Sequence, residues 1–271
     1  MSLKKLENHF TFGDNWSDYS QSIDELKLKE AEVSISHYFN KKYIKNKSII
    51  DIGCGSGIFS LAALRLGCKN IVSIDLDPVC VDTTKKTIQK YYDGDNWDCR
   101  QISVFDLDPD KIGVFDIVYS WGVLHHTGDM YDAIYKASCL MSEKGQMLIG
   151  LYQKTFLCPF WKVEKKIYSK SSIKVQNIIR SGFKHLYSFL NFLKGVPTKN
   201  IIDGYYKNRG MDYYIDLHDW LGGYPYESIS PNEFEIYMKS IGYVIIKETL
   251  KKEGIGISGS GVNEYLIAKG K

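Results

Sequence analysis

The residues with the clearest chemical potential follow a short apolar run, in Ile49-Ile50-Asp51-Ile52-Gly53-Cys54-Gly55-Ser56-Gly57. Glycine tolerates positive φ and has no Cβ, so glycines at alternate positions let a backbone turn approach a ligand closely. A helix after such a turn presents unpaired N–H groups that suit a carboxylate. Asp51 would repel a pyrophosphate but could accept an ammonium group, directly or through water. The turn therefore favours a cationic ligand over a dinucleotide.

A second acidic residue, Asp75, ends the next predicted strand and is placed to accept hydrogen bonds from both hydroxyls of a ribose. The dinucleotide spacing G-x-G-x-x-G fails, since Ile58 occupies the third glycine position. In an α/β sheet, groups that follow parallel strands converge at the carboxyl ends of those strands. Taken alone, each has an alternative role, Asp51 as a helix-capping residue and Asp75 as a turn residue. Their combination with the glycines indicates a nucleoside site.

Two adjacent histidines follow another predicted strand, in Trp121-Gly122-Val123-Leu124-His125-His126-Thr127. Histidine has a pKa near neutrality and can exchange a proton at physiological pH. His125 and His126 are therefore candidates to orient or deprotonate an acceptor hydroxyl, and His126 is the preferred one. The alternative is that one of them only caps the next helix or closes over the ligand.

Strands alternate with helices from Ser48 onward, which predicts an α/β fold with a parallel sheet. A helix is predicted over residues 22–45, and further helices follow the first two strands. The last two strands have no helix between them, so they should form an antiparallel pair. The predicted strands are 48–52, 71–74, 99–104, 115–119, 146–151, 243–249 and 263–268.

Residues 51–57 resemble motif I of the class I S-adenosylmethionine-dependent methyltransferases, and Leu124-His125-His126 resembles motif IV of small-molecule methyltransferases. The resemblance extends to bacterial enzymes of the quinone-biosynthesis O-methyltransferase type. It implies S-adenosylmethionine as cofactor and S-adenosylhomocysteine as product. It also implies a seven-stranded Rossmann-like sheet with an antiparallel terminal strand pair and a helical lid between strands five and six.

The resemblance also implies roles for individual residues. The glycine turn would hold the methionine part, Asp75 the ribose, and Leu76 the adenine face. Many members have Asp where Ser103 stands, so the backbone N–H of Val104 would serve the adenine edge instead. The cofactor-binding residues implied are Asp51, Gly53, Cys54, Gly55, Ser56, Gly57, Asp75, Leu76, Ser103, Val104, Ser120 and Trp121. No metal is expected.

The acceptor side is predicted from a block rich in charged, aromatic and glycine residues between Arg209 and Tyr226, and from a terminal Gly-x-Asn-Glu. Such loops usually bind a ligand. An aromatic leader before residue 22 could fold over a ligand or pack as an arm, and the block could instead be a rigid structural loop. The predicted acceptor-binding residues are Trp16, Tyr19, Arg209, Asp212, His218, Asp219, Trp220, Tyr224 and Asn263.

The expected organisation has an N-terminal arm and helix (1–47), a cofactor-binding core (48–151), a helical lid (152–226) and a C-terminal helix with the strand pair (227–271). From Tyr152 to Arg209 there are twelve Lys and Arg against two acidic residues, although the whole chain carries only +3. Basic amphipathic helices can rest on an anionic membrane, attract an anionic substrate, or pack with a solvated face.

Three acceptor classes therefore stay open, namely a small molecule, a membrane lipid or quinone, and RNA or protein. Nucleic acid is the less favoured, because no RNA-binding module is recognisable. A regulator that binds S-adenosylmethionine without turnover is a fourth hypothesis. The scattered cysteines, the absence of a secretory leader and the lack of a long apolar run suggest a cytoplasmic protein.

Overall fold

The computed structural model describes residues 10, 12–193, 195, 213–252, 254–257 and 259–270. Its centre is one seven-stranded sheet with the order β3-β2-β1-β4-β5-β7-β6. The strands are β1 (Ser48–Ile52), β2 (Asn70–Asp75), β3 (Trp97–Gln101), β4 (Phe115–Trp121), β5 (Met141–Tyr152), β6 (Tyr243–Thr249) and β7 (Val262–Lys269).

The first five strands run parallel, and β7 is antiparallel to both β5 and β6. The central strands are nearly continuous apolar runs because helices cover both faces of a parallel sheet. The predicted seven-stranded sheet and its antiparallel terminal pair are therefore confirmed. Strand three starts two residues and ends three residues earlier than expected, which places Ser103 and Val104 in the turn after it.

Helices pack on both faces of the sheet. They are α1 (Gly13–Gln21), α2 (Glu25–Tyr38), α3 (Lys41–Ile44), α4 (Ile58–Arg65), α5 (Pro78–Tyr91), α6 (Pro109–Ile112), α7 (Met130–Ser138), α8 (Cys158–Lys170), α9 (Ile173–Leu193), α10 (Tyr213–Gly222) and α11 (Pro231–Ser240). One apolar core joins α2 and α4 to the sheet, and a second core joins α7 and α11 to the other face.

The single helix expected over 22–45 is instead two helices, α2 and α3. Asp24 caps the start of α2 by accepting a hydrogen bond from the Lys27 N–H. The helix stops because Phe39 is extended, with its side chain fully packed in the core, and Asn40 then caps α3.

The insertion after β5 is helical, as expected. Helices α8, α9 and α10 pack on one another around a small core that contains Phe10, Tyr168, Leu217 and Leu221. Within the described residues, no helix is both long and apolar enough to cross a bilayer. The described chain also holds no group of three or more potential metal ligands, and its six cysteines are free. The predicted domain boundaries stay a prediction.

Candidate functional site

A cavity of about 1080 Å³ opens at the carboxyl ends of β1, β2 and β4. Pockets for single drug-sized ligands are usually about 300–1,000 Å³, so this one is large enough for two small molecules side by side. Its wall is formed by the glycine turn, by α1 and α2, by the insertion and by β7. Six carboxyl side chains and two lysines face it: Glu30, Asp51, Asp75, Asp77, Asp219, Glu264, Lys27 and Lys251.

The glycine turn needs its glycines for two different reasons. Gly53 and Gly55 have φ of 79° and 53° and line the cavity. A Cβ on Gly53 would lie 2.4 Å from a methyl carbon of Val123. Gly57, with φ of 77°, lies away from the cavity, where a Cβ would come within 2.8 Å of the Thr84 Cα on α5. Gly57 therefore lets two helices approach and is not placed against a ligand.

Asp75 lies at the tip of β2 and faces the cavity. One carboxylate oxygen accepts a hydrogen bond from the Gly55 N–H at 3.1 Å, and the other accepts one from the Asp77 N–H at 3.0 Å. Burial raises the pKa of Asp75, while these two backbone donors oppose that rise. A carboxylate oxygen has lone pairs beyond the one used here, so Asp75 can still accept from a diol.

Asp51 is 4% exposed and lies on the cavity wall at the end of β1. The Ser60 hydroxyl donates a 2.6 Å hydrogen bond to it. Burial raises the pKa of Asp51 to about 7, and the nearby charge of Asp75 acts in the same direction. A cation in the cavity would favour the ionised form of this carboxyl.

Helix α1 closes the cavity over the glycine turn. The Gly13 N–H donates to Asp77 at 3.0 Å, which fixes the start of the helix beside β2. The Trp16 indole then covers Gly55, where a Cβ would meet its ring at 3.2 Å, and Tyr19 packs edge-on against Trp16. Both aromatic residues line the cavity. They were predicted to bind the acceptor, but they lie beside the glycine turn.

The residues expected around an adenine ring separate into two groups. Leu76 and Val104 line the cavity, and so does Ile102, which was not predicted. Ser103 is not part of the lining, because its hydroxyl accepts from the Phe105 N–H at 3.3 Å and caps the short turn after β3. Backbone and apolar contacts are thus available there, as expected from the missing aspartate.

The end of β4 also divides the predicted residues. Ser120 is fully buried and donates to the Ile52 carbonyl oxygen at 3.1 Å, so it ties β4 to β1 without lining the cavity. Trp121 does line the cavity, and its indole Nε1–H donates to Glu264 at 2.6 Å. Cys54 and Ser56 complete the part of the glycine turn that lines the cavity.

His126 and His125 have different environments. His126 lines the cavity, and its Nδ1 lies 2.7 Å from the Pro225 carbonyl oxygen. A carbonyl oxygen only accepts, so Nδ1 carries the proton and neutral His126 has an unprotonated Nε2. His125 is fully buried against Tyr152, with ring centroids 3.9 Å apart, and burial holds its pKa well below the usual value. Its predicted catalytic role is not supported, because it does not reach the cavity.

The predicted acceptor residues are only partly brought together. Asp219 and Trp220 of α10 line the cavity, and Asn15 donates to Asp219 at 2.6 Å. His218 instead lies 2.6 Å from the Tyr168 hydroxyl inside the insertion. Tyr224 is likewise not part of the lining. Arg209 and Asp212 lie outside the described residues.

Asn263 was expected in the acceptor pocket, and the structure places it elsewhere. It is 1% exposed, accepts from the Lys251 N–H at 2.8 Å and donates to the Tyr265 hydroxyl at 3.3 Å. Successive side chains of a strand point to opposite faces, so the neighbouring Glu264 faces the cavity in its place.

Three contributors were missed from the sequence: Glu264, Tyr152 and Lys165. Tyr152 lines the cavity beside His126. Lys165 is fully buried, lies 4.2 Å above the Trp220 ring and donates to the Trp220 carbonyl oxygen, so it supports a ring of the cavity wall. Burial lowers the pKa of Lys165 to about 7. The alternation of β7 was a usable signal for Glu264, whereas nothing local indicated a buried lysine.

Sequence comparison with known proteins matches mainly the N-terminal part of the sheet with the glycine turn, Asp51 and Asp75, which is called the cofactor half below. Residues 32–121 match the family model of PrmA, ribosomal protein L11 methyltransferase. The L11 methyltransferase of Thermotoga petrophila is 36% identical over 91 residues, which are 32% of this chain and 31% of that protein. That of Clostridium perfringens strain 13 is 52% identical over 48 residues, or 17% and 15% of the two chains. The chain spans about a third or less of the length of these relatives.

Solved structures resemble the chain over most of its length. Magnesium protoporphyrin IX methyltransferase from Synechocystis PCC 6803, with bound SAH, gives a TM-score of 0.54 at 11% identity and covers 89% of this chain and 82% of its own. PKMT2 from Rickettsia typhi, in complex with AdoHcy, gives 0.55 at 16% identity, with 83% and 49% covered. At these identities the likeness shows the fold.

Proposed function

For a chain that has the fold of the class I S-adenosylmethionine-dependent methyltransferases, we propose that it transfers the methyl group of S-adenosylmethionine to an oxygen or nitrogen of a small molecule. One observation carries this proposal. The glycine turn with positive φ, Asp51 and Asp75 face one cavity, and they lie in the segment that matches the methyltransferase family.

The residues present fit this cofactor. Gly53 and Gly55 place the backbone of the turn on the cavity wall, and Asp51 offers a carboxyl for an ammonium group. Asp75 would bind the ribose, and Leu76 with Val104 would contact the adenine. When bound, S-adenosylmethionine supplies a methyl group that its positive sulfur already activates. The protein's own tasks are alignment, exclusion of water and removal of a proton from the acceptor.

We assign the removal of the acceptor proton to His126. Its Nδ1–H donates to the Pro225 carbonyl oxygen, so Nε2 is the basic atom of the neutral ring, and the side chain lines the cavity. A Cβ on Gly223 would lie 2.6 Å from the His126 Cε1, so the chain passes close to this edge of the ring and fixes its position. An acceptor hydroxyl that reaches Nε2 would be oriented and deprotonated there.

The cavity favours a small acceptor over a protein. Its acceptor side is enclosed by aromatic and apolar side chains of the insertion and of neighbouring elements, namely Phe12, Tyr152, Phe183, Tyr187, Leu217 and Trp220. The match to the L11 methyltransferases ends at residue 121, before the insertion begins. Those relatives therefore inform the cofactor half. Methylation of a ribosomal protein is the second candidate, and the names of the relatives are what favours it.

The outer face of the insertion supports a further proposal, that the enzyme docks on an anionic membrane surface. Phe160, Val163 and Ile167 recur along one side of α8, Phe156 lies in the turn before it, and all four are 55–84% exposed. Ile255 and Ile257 extend this apolar stripe, since the Leu157 N–H donates to the Ile255 carbonyl oxygen at 3.1 Å.

Lysines flank the same stripe. Lys162, Lys166 and Lys170 are exposed on α8, and α9 has no acidic residue. Exposed aromatic residues beside lysines are typical of helices that lie in the interface of an anionic bilayer. A symmetric contact with a second copy would bring the lysines against one another, which is unfavourable. An anionic lipid surface therefore suits this face better.

The direct test incubates the purified protein with S-adenosylmethionine labelled in the methyl group and with a cell extract separated into metabolites, lipids, RNA and protein. We expect label in the metabolite fraction, and a matched Asp75→Ala variant should give none. Label in ribosomal protein L11 would establish the second candidate instead. Tight binding of S-adenosylmethionine without label in any fraction would indicate a regulator and contradict the proposed enzyme.

A further inference from the structure

Glu264 on β7 is a carboxylate in the cavity wall that the methyl transfer does not use. One of its oxygens accepts from the Trp121 Nε1–H at 2.6 Å, and the other accepts from the Tyr38 hydroxyl at 2.7 Å. Three separate elements, α2, β4 and β7, therefore hold this one side chain in place. The side chain lines the cavity, and each carboxylate oxygen keeps a lone pair beyond the one used here.

The position of Trp121 is built into the sheet. Gly150 of β5 pairs with Trp121 on one side and with Glu264 on the other. A Cβ on Gly150 would lie 2.7 Å from the Trp121 Cδ1. The indole can therefore lie across β5 and reach Glu264 only because this residue is glycine.

The negative charge of Glu264 has only neutral donors around it. Tyr38 stays protonated, because burial raises its pKa to about 12, and an indole N–H carries no charge. Within the described chain, no lysine, arginine or histidine forms an ion pair with Glu264. Lys251 lines the same cavity but makes no such contact. A partly buried carboxylate in this setting gains from a cationic partner.

This carboxylate lies apart from the acids assigned to the cofactor. Asp51 is on β1, and the strand order β1-β4-β5-β7 places Glu264 three strands away. At about 4.8 Å per strand, the two side chains start about 14 Å apart, which is too far for one ammonium group to contact both. Tyr119 lies between them on the cavity wall. Burial raises its pKa, and the charges of Asp51 and Glu264 act in the same direction.

We propose that Glu264, with the rings of Trp121 and Tyr119, is a subsite for a positively charged nitrogen of the acceptor. An ammonium group would take its charge partner from Glu264 and would lie against electron-rich aromatic faces. The acceptor class is therefore a small molecule that carries an amine or a quaternary ammonium in addition to the atom that is methylated. This inference rests on the proposed function, because it uses the same cavity.

The test uses two probes that differ in one charge, tyramine and 4-ethylphenol. Their affinities are measured by calorimetry with the full chain saturated with S-adenosylhomocysteine. We expect wild-type protein to bind tyramine at least about tenfold more tightly, since hydrogen bonds to charged groups are stronger than those between neutral groups. In Glu264→Gln, a side chain of equal size without the charge, the two affinities should agree within about threefold. Glu143→Gln, an exposed site on β5, is the matched control and should keep the preference.

Equal affinities in wild-type protein would overturn the subsite, whatever the variants do. So would a preference for tyramine that survives in Glu264→Gln. Glu264→Asp keeps the charge and should keep part of the preference, which separates loss of charge from damage to the fold. Binding of S-adenosylhomocysteine is measured first in every variant. If wild-type protein does not bind it, the proposed function fails, and that result is distinct from a failure of the Glu264 subsite.

Discussion

The inside of the cavity and the outer face of the insertion carry opposite charge, although they are built from neighbouring elements. Six carboxyl side chains and two lysines face the cavity, whereas the charged side chains exposed on α8 and α9 are lysines. An acidic cavity suits a cationic cofactor and a cationic acceptor. A basic outer face suits an anionic surface. The difference favours separate partners for the two regions, and it disfavours the hypothesis that the basic helices attract an anionic acceptor into the cavity.

The two regions also use their aromatic residues differently. Inside, Trp16, Trp121 and Trp220 are held by packing or by hydrogen bonds, so their rings are fixed walls. Outside, Phe156 and Phe160 are 84% and 58% exposed and contribute little to the fold. Fixed rings are suited to select a ligand, and exposed rings are suited to enter a lipid interface.

The largest effect is expected inside the cavity, at Asp75. Asp75→Ala removes a carboxylate that we assign to two ribose hydroxyls, and each hydrogen bond to a charged group contributes about 2 kcal/mol. Affinity for S-adenosylhomocysteine should therefore fall on the order of 1000-fold, as measured by calorimetry. Asp82→Ala, an exposed carboxylate on the adjacent α5, should bind like wild type. Near-normal affinity in Asp75→Ala would remove the acidic residue from the cofactor site.

The next effect concerns the chemistry at His126. His126→Gln removes the basic imidazole nitrogen, so turnover on the identified acceptor should fall about 100-fold. Affinity for S-adenosylhomocysteine should stay within about twofold, because the side chain lies beyond the glycine turn. His185→Gln, at an exposed site on α9, is the control. An unchanged turnover number in His126→Gln would show that no base is needed there.

A smaller effect is expected on the outer face. Lys162→Gln combined with Lys166→Gln removes two charges from α8, each of which contributes about 1 kcal/mol near an anionic bilayer. Binding to vesicles of mixed phosphatidylcholine and phosphatidylserine should weaken about 30-fold in a co-sedimentation assay. The pair Lys86→Gln and Lys90→Gln on α5 should change little. If wild-type protein does not co-sediment with these vesicles, the membrane proposal is wrong. That result would not contradict turnover on a soluble acceptor.

How well the sequence predicted each region depends on how far apart along the chain its interacting residues lie. The cofactor half depends on short segments, so Asp51, Gly53, Gly55, Asp75 and their strands were predictable from spacing alone. Even there, Gly57 and Ser120 proved to hold elements together, because their local pattern does not distinguish contact with a ligand from contact with a neighbouring helix or strand.

The acceptor half was predicted less well because its residues come together from distant parts of the chain. Trp121, Tyr38 and Glu264 meet only when β4, α2 and β7 are assembled. From the motif alone, Asn263 and Glu264 are equally plausible as ligand-binding residues. Which of them reaches the cavity depends on the face of β7 from which its side chain projects. The separation of His126 from His125 likewise depends on the backbone after β4 and on Pro225.

The last effect is a pH dependence that originates from the acidic cavity itself. Burial raises the pKa of Asp51 from 3.8 to about 7, so folded ligand-free protein retains a proton that the unfolded chain releases. The stability that this proton contributes is present below pH 4 and is lost as the pH rises through 7. Between pH 5 and 7, Asp51 should therefore lower the free energy of unfolding by about 1.4 kcal/mol per pH unit.

Urea denaturation of ligand-free protein at several pH values measures this slope, and Asp51→Asn should reduce it by about that amount. Saturation with S-adenosylhomocysteine should also flatten the slope in wild-type protein, because its ammonium group favours the ionised carboxyl. Glu143→Asn, at a largely exposed carboxylate, should leave the slope as it is. An identical slope in Asp51→Asn would mean that Asp51 is already ionised without a ligand. The proposed contrast between a buried acidic cavity that binds a cation and a solvated basic exterior would then be contradicted.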